Sequence, residues 1–143
     1  MQSKEKVFVI VYRTTNGSVE YLALKPNPEP GRNSDNYVVT GGVEPYDASI
    51  EATALREVAE EIGIESKSIV DLNYIINYTD HITFKKYSEH CFGVKIGNEP
   101  IILNEEHIGY IWLAKNDFVK TIWWDYDKSI LEKMVGIIET HET

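Results

Sequence analysis

The stretch VTGGVEPYDASIEATALREVAEEIGI, Val39 to Ile64, runs from an apolar segment through a glycine pair and a proline turn into a segment with three glutamates, Glu57, Glu60 and Glu61. Ala52, Ala54, Leu55, Arg56, Val58, Ala59 and Ile62 favour a helix, with Pro45 ahead of it and Gly63 ending it. At roughly 100° per residue, Ala52, Leu55, Ala59 and Ile62 form one apolar stripe, and the three glutamates fall together on the opposite, outward side. Carboxylates at this spacing repel by a few tenths of a kcal/mol per pair, and on this reading Arg56 relieves only Glu60. A hard divalent cation such as Mg²⁺ relieves the whole set, because it takes carboxylate oxygens and keeps waters for substrate phosphates. Taken alone, the glutamates favour the plainer alternative of a solvated acidic face, since surface charge needs no ligand.

The flanking residues shift that balance. REVAEEIGI, Arg56 to Ile64, resembles the second half of the Nudix box, in which Arg-Glu, an aliphatic residue, any residue, Glu-Glu, any residue, Gly and an aliphatic residue follow in order. Gly41, Gly42 and the Val43-Glu44-Pro45 turn extend the likeness. One position departs: counted back from Arg56, the family's upstream glutamate falls on Ala48. A register starting at Gly41 puts Asp47 there instead, at the cost of one extra residue, which a loop near a helix start absorbs. We take this second register, with Asp47 expected mainly to cap the first free amides of the helix. The resemblance implies an α+β protein of Nudix fold, an α/β/α sandwich with a mixed β-sheet. It also implies Mg²⁺, or Mn²⁺, held by Glu57, Glu60, Glu61 and the Gly41 carbonyl, with Arg56 orienting the glutamates and Glu60 a further ligand or base.

Composition agrees with an enzyme-sized domain. The chain has 143 residues, is 43% hydrophobic and carries a formal charge of −9. No linker or repeat divides it, so one domain over residues 1–143 is expected. The negative balance argues against a nucleic-acid polymer or an anionic membrane as partner. Cys91 is the only cysteine, which excludes a disulfide framework, and the apolar run after the first lysines is too short for a signal core. A cytoplasmic protein, monomer or homodimer, is expected.

Strands are predicted at Lys6–Arg13 and Val19–Lys25, joined by Asn16-Gly17, a hairpin signal. A proline-rich loop follows from Pro26 to Asp35, and a strand over Asn36–Gly42 delivers the box. Further strands are expected around Ile69–Tyr78, His90–Ile96 and Tyr110–Leu113, and a second helix over Asp127–Ile138.

The later segment LNEEHIGYIWLAKNDFVKTIWWDYDKSI, Leu103 to Ile130, is similar to the corresponding part of bacterial dATP and dihydroneopterin triphosphate pyrophosphohydrolases within the family, through Glu106, His107, Tyr110, Trp112, Leu113 and Trp123 or Trp124. That resemblance implies a nucleotide or pterin triphosphate as substrate and a catalytic role for Glu106; by residue type alone, Glu105 and Glu106 read as a solvated pair. Trp112 reads as core. Adjacent Trp123 and Trp124 cannot both face inward in an extended segment, so one is exposed, either to stack on a base or pterin or in ordinary surface packing. Arg13 and Lys25, with Lys85 and Lys86, are candidate phosphate contacts, set against ordinary solvated cations. His81, His90 and His107 fit no zinc spacing, and His107 is given only a loop-positioning part. Two other functions stay open: a dinucleoside polyphosphate hydrolase, and a catalytically weak nucleotide-binding or regulatory module, against which the retained Glu57, Glu60 and Glu61 weigh.

Overall fold

Val7 to Tyr12 is an unbroken apolar run because its strand is covered on both faces. In the computed structural model, which describes residues 4–28 and 35–142, that strand is β1 (Lys4–Thr15). It is followed by β2 (Ser18–Pro26), β3 (Val39–Gly42), α1 (Ile50–Ile62), β4 (Ile69–Thr79), β5 (Lys86–Lys95), β6 (His107–Leu113), α2 (Lys115–Thr121) and α3 (Lys128–His141). Asn16 and Gly17 both take positive φ, 52° and 80°, as a tight β1–β2 turn requires.

The sheet runs β4-β5-β1-β2-β6 and is mixed, because β1 and β5 are parallel while the other pairs are antiparallel. The β1–β2 hairpin pairs only near its turn, from Thr15↔Ser18 to Tyr12↔Tyr21. Beyond it the arms part, and β3 takes over the edge of β1 from Val9↔Val39 to Lys6↔Gly42. A bridge between Leu24 and Tyr37 ties the other arm to the residues just ahead of β3. The splayed hairpin thereby seats Gly41 and Gly42 in the mouth of the sheet.

Alternating residues of β1 divide between two cores. Val7, Val9 and Val11 pack with Ala54, Val58 and Ile62 of α1, while Phe8, Ile10 and Tyr12 pack with Phe118 of α2 and Leu131, Met134 and Ile138 of α3. This is the expected α/β/α sandwich. Each fully buried aliphatic or aromatic side chain contributes about 1.5–3 kcal/mol, so α1 is held rigidly where its polar face meets β3.

Three local expectations are corrected. The stripe of α1 that goes under is Ala54, Val58 and Ile62 together with Thr53 and Glu61, whereas Ala52, Leu55 and Ala59 are only half-buried. The sheet approaches α1 from a direction about one residue round the helix from the stripe that hydrophobicity alone marks. A further helix, α2, lies between the expected pair; its seven residues bury only Phe118 and Val119 and are too short for a periodic signal. In the proline-rich segment, Pro26 ends β2, and residues 29–34 lie outside the described residues. Among the described residues, no helix is long and apolar enough to cross a membrane.

Candidate active site

The first free amides of α1 are capped by Ser49, whose hydroxyl accepts from the Ala52 N–H at 3.0 Å. Asp47, expected as the cap, is instead the charged partner of Arg56. Its Oδ1 accepts from Arg56 Nε at 2.9 Å and its Oδ2 from Nη2 at 3.0 Å. Oδ2 also accepts from the Thr53 hydroxyl at 2.8 Å and from the Glu44 N–H at 2.9 Å. The Arg56 bonds, and then the Glu44 amide, hold this carboxyl far below the usual carboxylate range. In the register that starts at Gly41, Asp47 is thus the carboxylate that meets Arg56.

Arg56 does more than relieve Glu60. Its Nη2 donates to the Gly42 carbonyl at 2.9 Å, and its Nη1 lies 3.2 Å from Glu60 and 3.5 Å from Glu57. One guanidinium thus locks the glycine turn, the upstream acid and two helix glutamates into one arrangement, with Tyr46 beneath it at 5.5 Å.

The three glutamates are not equivalent, which corrects the outward-facing reading. The Glu60 side chain is 51% exposed, that of Glu57 12% and that of Glu61 3%. Glu57 lies directly on Gly41: a Cβ at that glycine would fall 1.3 Å from its Oε2, so only glycine permits the approach. Burial, then the neighbouring Glu60, pushes the Glu57 carboxyl up to about 8. Glu61 accepts from the Thr40 N–H but is pushed up to about 9, chiefly by burial and then by Glu106 and Glu57.

A second element reaches the same place. Asn27, just past β2, donates from its backbone N–H to the Glu106 carbonyl at 3.1 Å and from its side chain to the Glu105 carbonyl at 2.6 Å. Asn104 accepts from the Glu106 N–H at 3.1 Å. A register shift between Lys25 and Pro26 then brings His107 opposite Pro26. Its Nδ1 lies 3.8 Å from Glu61 Oε1. Ligand-type atoms of Glu61, Glu106 and His107 all lie within 4.8 Å of one another. Beside them opens a cleft of about 310 Å³ lined by Tyr37, Thr40, Glu61, Glu105, Glu106 and His107, among others. His107, which sequence reasoning left without a chemical part, comes to Glu61 through the β2–β6 register, and its own neighbours in the sequence carry no signal of it.

The donor set suits a divalent cation. Glu57 and Glu61 are carboxyls whose negative form is disfavoured by burial and by each other, and a positive ion among them reverses both effects. Oxygen donors dominate, as a hard ion requires.

The remaining expected substrate residues are spread out. Arg13 pairs with Glu20 at 2.9 Å, stacks over Trp112 at 4.1 Å and lies six residues along β1 from Val7, the partner of Gly41, roughly 20 Å away. The geometry does not bring it to the cleft. Lys25 is exposed, opposite Gly109 and next to Pro26 of the cleft wall. Trp123 is 38% exposed and stacks on Tyr37, which lines the cleft, with centroids 6.2 Å apart. Trp124 packs inward against Phe8 and Tyr126.

No curated protein sequence matches the chain. Among solved structures, an Ap4A hydrolase of C. elegans in a binary complex is similar, with a TM-score of 0.76 and 22% identity over 96% of this chain and 98% of that one. A NUDIX hydrolase of Listeria monocytogenes gives 0.78 and 21% over 96% and 95%. The E. coli dihydroneopterin triphosphate pyrophosphohydrolase gives 0.73 and 19% over 96% and 99%. At such identities the likeness is one of fold. The sequence profile of the NUDIX domain matches residues 3–134. With the box helix, its arginine lock and its facing carboxylates in place, the chain belongs to the Nudix family, as a hydrolase of phosphoanhydride bonds.

Proposed function

We propose that the chain hydrolyses a (deoxy)nucleoside triphosphate or dihydroneopterin triphosphate, releasing pyrophosphate, with Mg²⁺ as the resident ion and Mn²⁺ as its substitute. The observation that carries the reading is the convergence of Glu61 from α1 with Glu106 and His107 from the start of β6, beside the Glu57–Gly41 contact. Glu57, Glu61 and the Gly41 carbonyl are the ligands assigned, with Glu60 completing the set. An ion held by these residues would supply charge neutralisation at the diphosphate and polarisation of the phosphorus. Glu106, on an exposed turn with no part in the Arg56 lock, takes the proton from the attacking water. The water oxygen bonds to phosphorus, the bridging P–O bond breaks, and pyrophosphate leaves. Arg56 keeps Glu57 and Glu60 in place through the Asp47 pair. Lys25 is assigned to the substrate's phosphates, and Trp123, stacked on Tyr37 at the cleft, to an aromatic contact at the cleft's edge.

Phosphate and pyrophosphate release from a panel of nucleoside triphosphates, dihydroneopterin triphosphate and dinucleoside polyphosphates, with and without Mg²⁺, tests the reading. Metal-dependent pyrophosphate release from one of the triphosphates is expected. Turnover confined to dinucleoside polyphosphates, or unaffected by chelation, would overturn it.

A further inference from the structure

Glu89 of β5 has no part in the chemistry above. It stands in register with Lys6, which on its other side pairs with Gly42, so Glu89 lies two strands from the glycine turn, roughly 10 Å. Glu89 alternates with Cys91, whose side chain joins the α3-side core, and so shares that face of the sheet with Tyr87. Opposite in β4, Tyr78 pairs with Tyr87, and their rings stack at 5.2 Å and 23°. Trp124 and Tyr126 meet edge to face at 5.1 Å on the same face, and the charge of Glu89 is felt at the Tyr126 phenol. A cleft of about 730 Å³ opens beside Lys6, Gly42 and Tyr87.

Glu89 is partly buried, and burial raises its pKa while Lys6 opposes the rise. Among the described residues its carboxylate accepts no hydrogen bond and forms no ion pair. Lys6, in register with it, makes its own contacts 3.4 Å from the Tyr78 hydroxyl and 5.3 Å over the Tyr87 ring. A carboxylate drawn partly out of water without donors is costly, and a ligand that brings donors recovers that cost. The flat aromatic surroundings fit a planar ring. Since a carboxylate only accepts, the edge it selects must present two neighbouring N–H groups. Adenine and cytosine place an acceptor beside their amino group, and uracil flanks its N–H with two acceptors. Guanine and pterins, through their shared 2-amino-4-oxopyrimidine edge, present an N–H and an NH₂ side by side.

We propose that Glu89, flanked by Tyr78, Tyr87 and Tyr126, forms the ring-recognition site of this protein and selects the 2-amino-4-oxopyrimidine edge of guanine or pterin. This deepens the triphosphate reading and rests on it for the origin of the ligand. A bidentate edge contact is worth about 1–3 kcal/mol of discrimination, or about a five- to hundredfold preference.

The test is saturation-transfer NMR of GMP, IMP and neopterin with the full chain in the absence of metal, where hydrolysis plays no part. IMP differs from GMP only in lacking the 2-amino group. GMP or neopterin is expected to bind, with GMP at least fivefold tighter than IMP where the purine binds. Binding of GMP alone, neopterin alone or both identifies which source of the edge the site takes. Glu89→Gln, isosteric and with no internal bond to lose, should remove the GMP preference and weaken neopterin by a similar factor. Equal binding of GMP and IMP, failure of both GMP and neopterin to bind, or a Glu89→Gln protein that binds like the parent would overturn the proposal. Absence of triphosphate hydrolysis would instead remove the functional reading and leave this binding comparison standing.

Discussion

The acidic face of α1 and the turn from Asn104 to His107 supply carboxylates to one cleft by different means. On α1 the spacing of Glu57, Glu60 and Glu61 along one helix sets their mutual geometry, and Arg56 fixes it further through Asp47 and Gly42. The turn has no such local frame. Glu106 reaches the cleft because Asn27 holds the backbone on either side of it and because β2 and β6 pair with a shift at Pro26. The contrast teaches that a site can be half local and half long-range, and that its long-range half is the part a sheet register can move.

The sharpest way to break the comparison is at Glu61, where the two halves touch. Glu61→Gln removes a charge that only a cation balances, and turnover should fall about 10²–10⁴-fold with folding retained. Steady-state rates at saturating Mg²⁺, together with a melting curve, decide it; parent-like turnover would sink the metal assignment.

On the turn, Glu106→Gln should lower turnover at least tenfold, while Glu105→Gln should change little. Equal rates for the two variants would mean that the turn contributes only surface charge and that the chemistry is confined to α1.

Within the helix half, Asp47→Asn keeps the bonds from Glu44 and Thr53 but loses the charge facing Arg56. Turnover should fall about tenfold, the lower end for residues that orient ligands. The helix start should hold, because Ser49 and not Asp47 is the cap. Loss of melting temperature without loss of rate would show that Asp47 is structural.

The smallest effect expected is on stability against pH. Glu61 and Glu57 have folded values near 9 and 8, above the ordinary carboxylate range near 4. The folded state therefore holds more protons, and the stability these groups contribute is full below about pH 4 and is lost as pH rises towards 8–9. The melting temperature of the metal-free protein should drift down by a few degrees across that window. Mg²⁺ should raise it more at pH 8 than at pH 5, and Glu61→Gln should flatten both trends. Differential scanning fluorimetry with chelator and with Mg²⁺ checks this.

Much of this protein could be read along the chain because the deciding interactions are local. The Asn16-Gly17 turn, the unbroken apolar run of β1 and the helix from Ile50 to Ile62 rest on neighbours within a few residues, as does the spacing of the box glutamates. Periodicity located the helix but not the direction from which the sheet would cover it, so Glu61 went inside although it reads as one of three outward charges. Asp47 reads as the cap of the helix, but Ser49, two residues on, takes that place, because the guanidinium of Arg56, nine residues on from Asp47, draws Asp47 away. Arg13 looks like any cation available to phosphate until the hairpin places it at the far end of β1 beside Glu20. His107 meets Glu61, and Glu89 stands against the Tyr78–Tyr87 pair, only through strand registers that span tens of residues. Burial and register are properties of which surfaces meet, and sequence spacing specifies those only within an element; across elements the tertiary packing decides.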